Sequence, residues 1–290
     1  GVMCMKKKLP VVCVFLIPAM SLLLCFKIFP ILAGLYDSFF TYSFKSKADV
    51  FAGLGNYIAA FSDASFLNSL KVTVLFNVVV NPIQIVLSFG LALLLMVKLK
   101  GRSVFRTIHL IPITVSFTIA CTLWGVFLNP EQGLMNSILN LFGIANQPFL
   151  NSSKQALAWV MVIATWKGLG YWALFFITGL EEIPTSLYEA ASLDGAGYWK
   201  TLRHITMPLM KKTFKFVVIS DTISNFILFV PAYVLTGGGP EGSTDFLMYR
   251  IYRTAYKYSD INLASAMIVI LVVMLLLIVL IESWLLREKE

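Results

Sequence analysis

The sequence is poor in the residues on which most soluble enzymes depend. Charged side chains make up 13% of its 290 residues, about half the share of an average soluble domain. There are two histidines, His109 and His204, and neither belongs to an HExxH run or a nucleophile–base arrangement, which leaves little room for an intramembrane hydrolase. The four cysteines, Cys4, Cys13, Cys25 and Cys121, show no CxxC or metal-ligand spacing, so no disulfide or metal centre is expected. None of the 18 glycines precedes a lysine. The GxxxxGK loop that cradles nucleotide phosphates is therefore missing, and any ATP hydrolysis must occur on another polypeptide. Acidic residues number 15 against 23 basic ones, a net charge of +8. Such a surplus is expected of a membrane protein whose Lys and Arg collect on the cytoplasmic side, and nucleic acid is not expected as a partner.

What the chain has in plenty is apolar length. Hydrophobic residues make up 58%, and mean hydropathy is +0.82. A membrane span needs about 20 apolar residues, and six stretches qualify: roughly 10–35, 69–97, 107–128, 156–180, 211–236 and 261–286. The first follows Lys6–Lys8 but outlasts a signal-peptide core and has no A-x-A site, so it reads as a retained span bent at Pro18 and Pro30. The run Gly1–Cys4 lacks the small residue that lipid attachment at Cys4 needs. With the N-terminus inside, the cytoplasmic segments hold 14 of the 23 basic residues, including Lys98, Lys100, Arg102, Arg106, Lys200, Arg203, Lys211, Lys212, Lys215, Arg287 and Lys289. That asymmetry sets both termini in the cytoplasm. The expected fold is an all-α polytopic membrane protein of six transmembrane helices, with a cytoplasmic segment 1–9, a membrane domain 10–286 and a tail 287–290. Of the outward segments, "GLGNYIAAFSDASF" is expected to form a short interfacial helix presenting Tyr57, Ile58 and Phe61.

One inward stretch does not look like a connector. "LYEAASLDGAGYWKTLRHITMP", Leu187–Pro208, is polar and helix-forming, and packed helices need only about 2–8 residues to join them. Thr185 or Ser186 is a fitting cap for a helix reaching about Asp194. Gly195 and Gly197 then make a corner, and a second helix from Tyr198 to about Thr206 is expected to stop before Pro208. Such a pair suits a docking surface; the bland alternative is an amphipathic helix lying on lipid.

The run resembles the EAA loop of permease subunits of binding-protein-dependent ABC importers: Glu-Ala-Ala, three residues, Gly, nine residues, Ile, one residue, Leu, Pro. Here Glu189, Ala190, Ala191, Gly195, Ile205 and Pro208 fit, with Met207 in place of Leu. "VLTGGGPEGSTDFLMYRIYRTAY" is similar to the outer loop of sugar-importer permeases related to the larger maltose-permease subunit. Thr236, Gly238, Gly239, Pro240, Ser243, Thr244, Tyr249, Tyr252 and Tyr256 match, as do "GLGNY", Asp63 and Phe66 in the first outer loop. The resemblance covers about 10–286. It implies the type I importer fold in a prokaryotic inner membrane, and a coupling loop at about 186–208. Glu189, Ala190, Ala191, Asp194 and Gly195 are its implied ATPase-coupling residues. The implied partners are a second homologous permease, two ATPase subunits that bind ATP and Mg, and an extracytoplasmic solute-binding protein. No cofactor is expected on this chain.

Polar groups inside spans are costly and usually face a cavity or a partner. "TWKGLGYW" in span four and "SDTISNF" in span five carry such groups, and Asp221 and Asn225, four apart, share one helix face. The resemblance implies sugar contacts at Ala164, Lys167, Gly168, Tyr171, Asp221, Asn225 and Leu228. Gly168, Tyr171 and Asn225 keep the maltose-type residue; Ala164, Lys167, Asp221 and Leu228 do not. Lys167 and Asp221 either bind a different sugar, neutral or charged, or pair with each other or with the partner subunit. Asn81 and Gln84 are read as helix–helix hydrogen-bonding groups or lumen-facing ones, His109 as structural, and Trp124, Trp159 and Trp284 as interfacial or packing aromatics. A permease for glycerol phosphates is the alternative within the family. An ion-coupled secondary transporter needs inverted repeats, and none is visible.

Overall fold

The computed structural model describes residues 16–43, 47–97 and 102–287. The expected segment 1–9, Lys98, Lys100 and Lys289, and the side chains of Arg102 and Arg106, lie outside the described residues. The elements run α1 (Leu16–Asp37), β1 (Phe40–Ser43), β2 (Ala48–Phe51), α2 (Gly55–Ser62), α3 (Ala64–Met96), α4 (Arg102–Thr114) and α5 (Phe117–Phe127). They continue with α6 (Leu134–Leu141), α7 (Ala156–Glu181), α8 (Thr185–Leu193), α9 (198–209), α10 (Lys211–Phe226), α11 (Leu247–Tyr252) and α12 (Ile261–Leu285). Two compact units divide the chain: residues up to Asp63 with Ile251–Val272, and Ala64–Arg250 with the segment from Val273 on.

In the first unit, α1 widens into a π turn at Leu24–Ile28, where the Phe29 N–H reaches back to the Leu24 carbonyl. That turn stands immediately before Pro30, which cannot donate to the regular ladder. The expectation of an all-helical chain needs one correction. Phe40–Ser43 and Ala48–Phe51 pair antiparallel, Phe40 opposite Phe51 and Thr41 opposite Val50. Phe40 and Phe51 meet edge to face at 5.5 Å, the kind of cross-strand aromatic pair that stabilises a short hairpin. Asn56 ties α2 to this hairpin, donating to the Ser38 carbonyl at 3.0 Å and the Phe40 carbonyl at 2.6 Å. Ile58 and Phe61 are exposed on α2, whereas Tyr57, expected beside them, is half-buried with its hydroxyl 2.7 Å from that of Ser38.

The second unit is built on α3, α7 and α10, and the pattern along each helix explains the packing. Val72, Phe76 and Val80 of α3 join Val160 and Ile163 of α7 and Phe246 in one apolar cluster. Leu91 and Leu95 of α3 join Trp172, Phe176 and Ile177 of α7 and Val217 of α10 in another. On all three helices the polar or small residues fall between these clusters: Asn81, Gln84 and Ser88; Lys167, Gly168 and Gly170; Asp221, Thr222 and Asn225. Close approach depends on glycine. A Cβ on Gly168 would overlap the Gln84 amide, and one on Gly170 would stand 2.5 Å from the His109 carbonyl of α4. Small residues at such crossings are how membrane helices gain van der Waals contact.

Of the six expected spans, α1, α3, α7 and α12 are long and apolar enough to cross a membrane. The third is broken: residues Thr107–Thr114 and Phe117–Phe127 meet at 107°, and count as a span only if taken together. The fifth falls short because α10 ends at Phe226 and helix resumes only at Val230, running into a widened turn at Ala232–Thr236; Pro231, in the first turn of the new segment, has no N–H to bridge back across the gap.

Gly170→Val places a branched side chain against backbone that cannot yield. Overpacking of this kind costs about 1–3 kcal/mol. A thermal melt of the detergent-purified protein is expected to fall by several degrees, whereas Gly143→Ala, at an open position with the strain of positive φ alone, lowers it less.

Candidate functional site

Between the two apolar clusters lies a cavity of about 460 Å³ whose wall includes Gln84 of α3, Ile113 of α4, Phe117 of α5, Ala164, Lys167, Gly168, Tyr171 and Trp172 of α7, and Asp221, Ser224, Asn225 and Leu228. All seven residues expected to contact sugar are in this wall. Helical geometry brings them together: 164, 167, 168 and 171 recur at steps of three and four on one face of α7, and 221 and 225 do so on α10. Asp221 and Asn225 are almost fully buried, while Tyr171 is 45% exposed. The sequence did not single out Phe117 and Ile113, because the 107° break that turns them inward has no signature beyond Pro112.

The polar groups of the wall belong to one network. Gln84 donates from Nε2 to the Ala164 carbonyl at 3.0 Å, which fixes its Oε1 as an acceptor for Asn225 Nδ2 at 3.2 Å. Asn225 Nδ2 also reaches Asp221 Oδ1 at 3.1 Å and Asn81 Oδ1 at 2.7 Å. The amide hydrogens of Asn225 are thus committed to protein acceptors. Asp221 Oδ2 has no hydrogen-bond partner, although the Trp172 indole lies alongside. Beyond the cavity, Asn81 donates from Nδ2 to Thr222 Oγ1 at 3.0 Å, and Thr222 donates to Glu282 Oε1 of α12 at 2.8 Å. Asn81 and Gln84 therefore do make the helix–helix bonds expected of them, and Gln84 lines the cavity as well.

Lys167 and Asp221 do not pair. Elsewhere Arg250 pairs with Asp245, at 3.3 Å. The Lys167 ammonium instead donates to the backbone carbonyls of Pro112, Ile113 (3.4 Å) and Val115 (2.5 Å), at the break between α4 and α5.

The stretch singled out by its polarity forms α8, a corner and α9. The helix start differs from expectation: Pro184, not Thr185 or Ser186, occupies the cap position and no side chain caps it. At the other end the Ala196 N–H bonds to the Ala191 carbonyl at 2.8 Å and the Gly195 N–H to Ser192 at 3.1 Å. This is the paired closure of a Schellman cap, and it requires Gly195 in the left-handed region, with φ of 70°. Glu189, Ala190, Asp194 and Gly195 are exposed and Ala191 is buried. Leu193 is 90% and Trp199 77% exposed, and the Trp199 ring meets Tyr198 edge to face at 5.4 Å. The second helix does not stop before Pro208. Its turn widens at Leu202–Thr206, and Met207–Leu209 continue as helix; the wider turn shifts the carbonyl that the proline ring would otherwise strike. Tyr188 and Thr206 hydroxyls, 3.2 Å apart, join the two helices. The loop after Ala232–Thr236 closes on itself through Thr236 and Thr244 hydroxyls at 2.7 Å, with Gly237, Gly238 and Gly242 at positive φ.

Several helices of membrane-spanning length, a cavity lined by a few polar side chains among apolar and aromatic ones, and an exposed, capped helix corner are the parts of a membrane transport subunit. Residues 55–287 match the family described as binding-protein-dependent transport system inner membrane component, and the chain belongs to it. The sn-glycerol-3-phosphate transport system permease protein UgpA of Agrobacterium fabrum is 36% identical over 258 residues, 87% of this chain and 86% of that protein. The trehalose/maltose transport system permease protein MalF of Thermococcus litoralis is 32% identical over 255 residues, 88% and 86% respectively. A solved bacterial ABC transporter involved in import of the acidic polysaccharide alginate shares the fold, with a TM-score of 0.83 over 97% of this chain and 96% of that one at 22% identity.

Thr222→Val removes a donor to Glu282 and an acceptor for Asn81 at nearly constant shape. Each orphaned group costs about 1–3 kcal/mol, so the melting temperature is expected to fall. In a double-mutant cycle Glu282→Leu and Thr222→Val are expected to be sub-additive by more than about 0.5 kcal/mol; strict additivity contradicts the network.

Proposed function

We propose that the chain is one of two related permease subunits of an ATP-driven importer in a prokaryotic inner membrane. It moves a sugar or oligosaccharide handed over by an extracytoplasmic binding protein. The reading has six crossings, the third and fifth broken, with both termini cytoplasmic as the basic residues require. Two ATPase subunits bind ATP and Mg, and α8 with its corner is the part they grip. Family membership and the likeness to permeases named for trehalose, maltose and glycerol phosphate support this.

The observation that carries it is the cavity. It offers acceptors, Asp221 and the Asn225 carbonyl, beside the rings of Tyr171, Trp172 and Phe117. Sugar hydroxyls need such acceptors, and sugar C–H faces stack on aromatic surface. Closure of the ATPases draws on α8, and the bundle passes between inward- and outward-facing states. Solute shifts that equilibrium only by its different affinity for the two. The likeness to UgpA favours a second reading, a phosphate-bearing solute. Lys167 is the cationic group in the wall, yet its ammonium is occupied by carbonyls and Asp221 shares the wall, so an uncharged sugar fits better.

In proteoliposomes holding the whole complex, Asn225→Ala is expected to raise the half-saturating solute concentration roughly 5- to 10-fold, the loss of about one hydrogen bond. Unchanged uptake contradicts the cavity assignment. Glu189→Lys is expected to abolish solute-stimulated ATP hydrolysis while the protein still reaches the membrane; wild-type stimulation contradicts the coupling role.

A further inference from the structure

We infer that Lys167 is a positioning residue that clamps the broken third span and so places one wall of the cavity, rather than a charge partner for the solute. The inference rests on the reading of the cavity as the solute site. An α-helix leaves its last four carbonyls without intrahelical partners, and in hydrocarbon no water replaces them. Helix α4 ends at Thr114, and the chain turns through 107° into α5, so the following N–H groups do not continue its ladder. Lys167 fills that gap. Its ammonium has three hydrogens and no acceptor capacity, and the structure supplies three carbonyls, those of Pro112, Ile113 and Val115. A cation at a helix C-terminus also meets the negative end of the helix dipole.

Two consequences follow for the cavity. Ile113 and Phe117, one on each side of the break, both line it, so the geometry of the bend decides where that wall stands. And an ammonium whose hydrogens are all committed has none left for a phosphate or carboxylate. The wall therefore presents acceptors without a free charged donor, which selects an uncharged polyhydroxyl solute over an anionic one.

The bend is readable without knowing the solute. Nitroxide labels on cysteines at Ile108 and Leu123, both exposed, in the complete complex with native cysteines replaced, report the distance across the break. One narrow distribution is expected in the parent and in Lys167→Arg, which keeps a cation and enough N–H donors. A broadened or shifted one is expected in Lys167→Met. Uptake of trehalose and of sn-glycerol 3-phosphate is measured beside it. The Met variant is expected to raise the half-saturating trehalose concentration about 5- to 10-fold, and Arg to restore it. An unchanged distance distribution in Lys167→Met overturns the clamp. So does selective loss of glycerol phosphate uptake with the bend intact, the signature of direct contact. A broadened bend with uptake indifferent to Asn225→Ala would retire the cavity reading and leave the clamp standing.

Discussion

Polar groups at membrane depth find no water, and the second unit is arranged around that constraint. Each unsatisfied backbone or side-chain group costs several kcal/mol in hydrocarbon, so the polar residues of α3, α7 and α10 face one another. Asn81, Gln84, Asp221, Thr222 and Asn225 share a continuous set of hydrogen bonds, and apolar clusters seal it along the helices on both sides. The cavity is the part of this layer that the helices leave open. Asp221 Oδ2 is a buried oxygen of this layer, with the Trp172 indole alongside it.

The same constraint governs the breaks. The 107° bend between α4 and α5 exposes carbonyls that a continuous helix would satisfy, and Lys167 reaches across from α7 to take them. This explains why a lysine is tolerated in the middle of an apolar helix. Intramembrane charge is usually held by a partner charge or by backbone carbonyls, and here the carbonyls win over Asp221. Glycine does complementary work, since Gly168 and Gly170 bring α7 close enough to α3 and α4 for the Gln84 amide and the His109 carbonyl to be near neighbours.

Much of this was legible in the sequence because it depends on local pattern. Apolar length located α1, α3, α7 and α12. Spacing of four put Asp221 and Asn225 on one helix face, and the family resemblance pointed to Ala164, Lys167, Gly168 and Tyr171. The glycine corner at Gly195 was visible because only a left-handed residue closes that helix end. What was not legible depends on long-range contact. Nothing near Lys167 reveals that its partners lie more than fifty residues away, and nothing near Phe117 reveals that it turns inward. Two local signals misled. Thr185 and Ser186 look like caps, but Pro184 already fixes the start of α8. Pro208 looks like a stop, but one widened turn absorbs it. The hairpin at Phe40–Phe51 escaped because its strands are only four residues each.

The central claim is that a solute occupies the polar layer between α3, α7 and α10. It is tested most directly by cysteine accessibility in the assembled transporter, with native cysteines replaced by alanine. Tyr171→Cys, on the cavity wall, is expected to react with a membrane-impermeant maleimide and to be shielded by the sugar that the cognate binding protein retains. Val162→Cys, exposed on the same helix but outside the wall, is expected to be indifferent to sugar. Labelling at Tyr171→Cys that sugar does not alter, in a complex that transports it, would contradict the account.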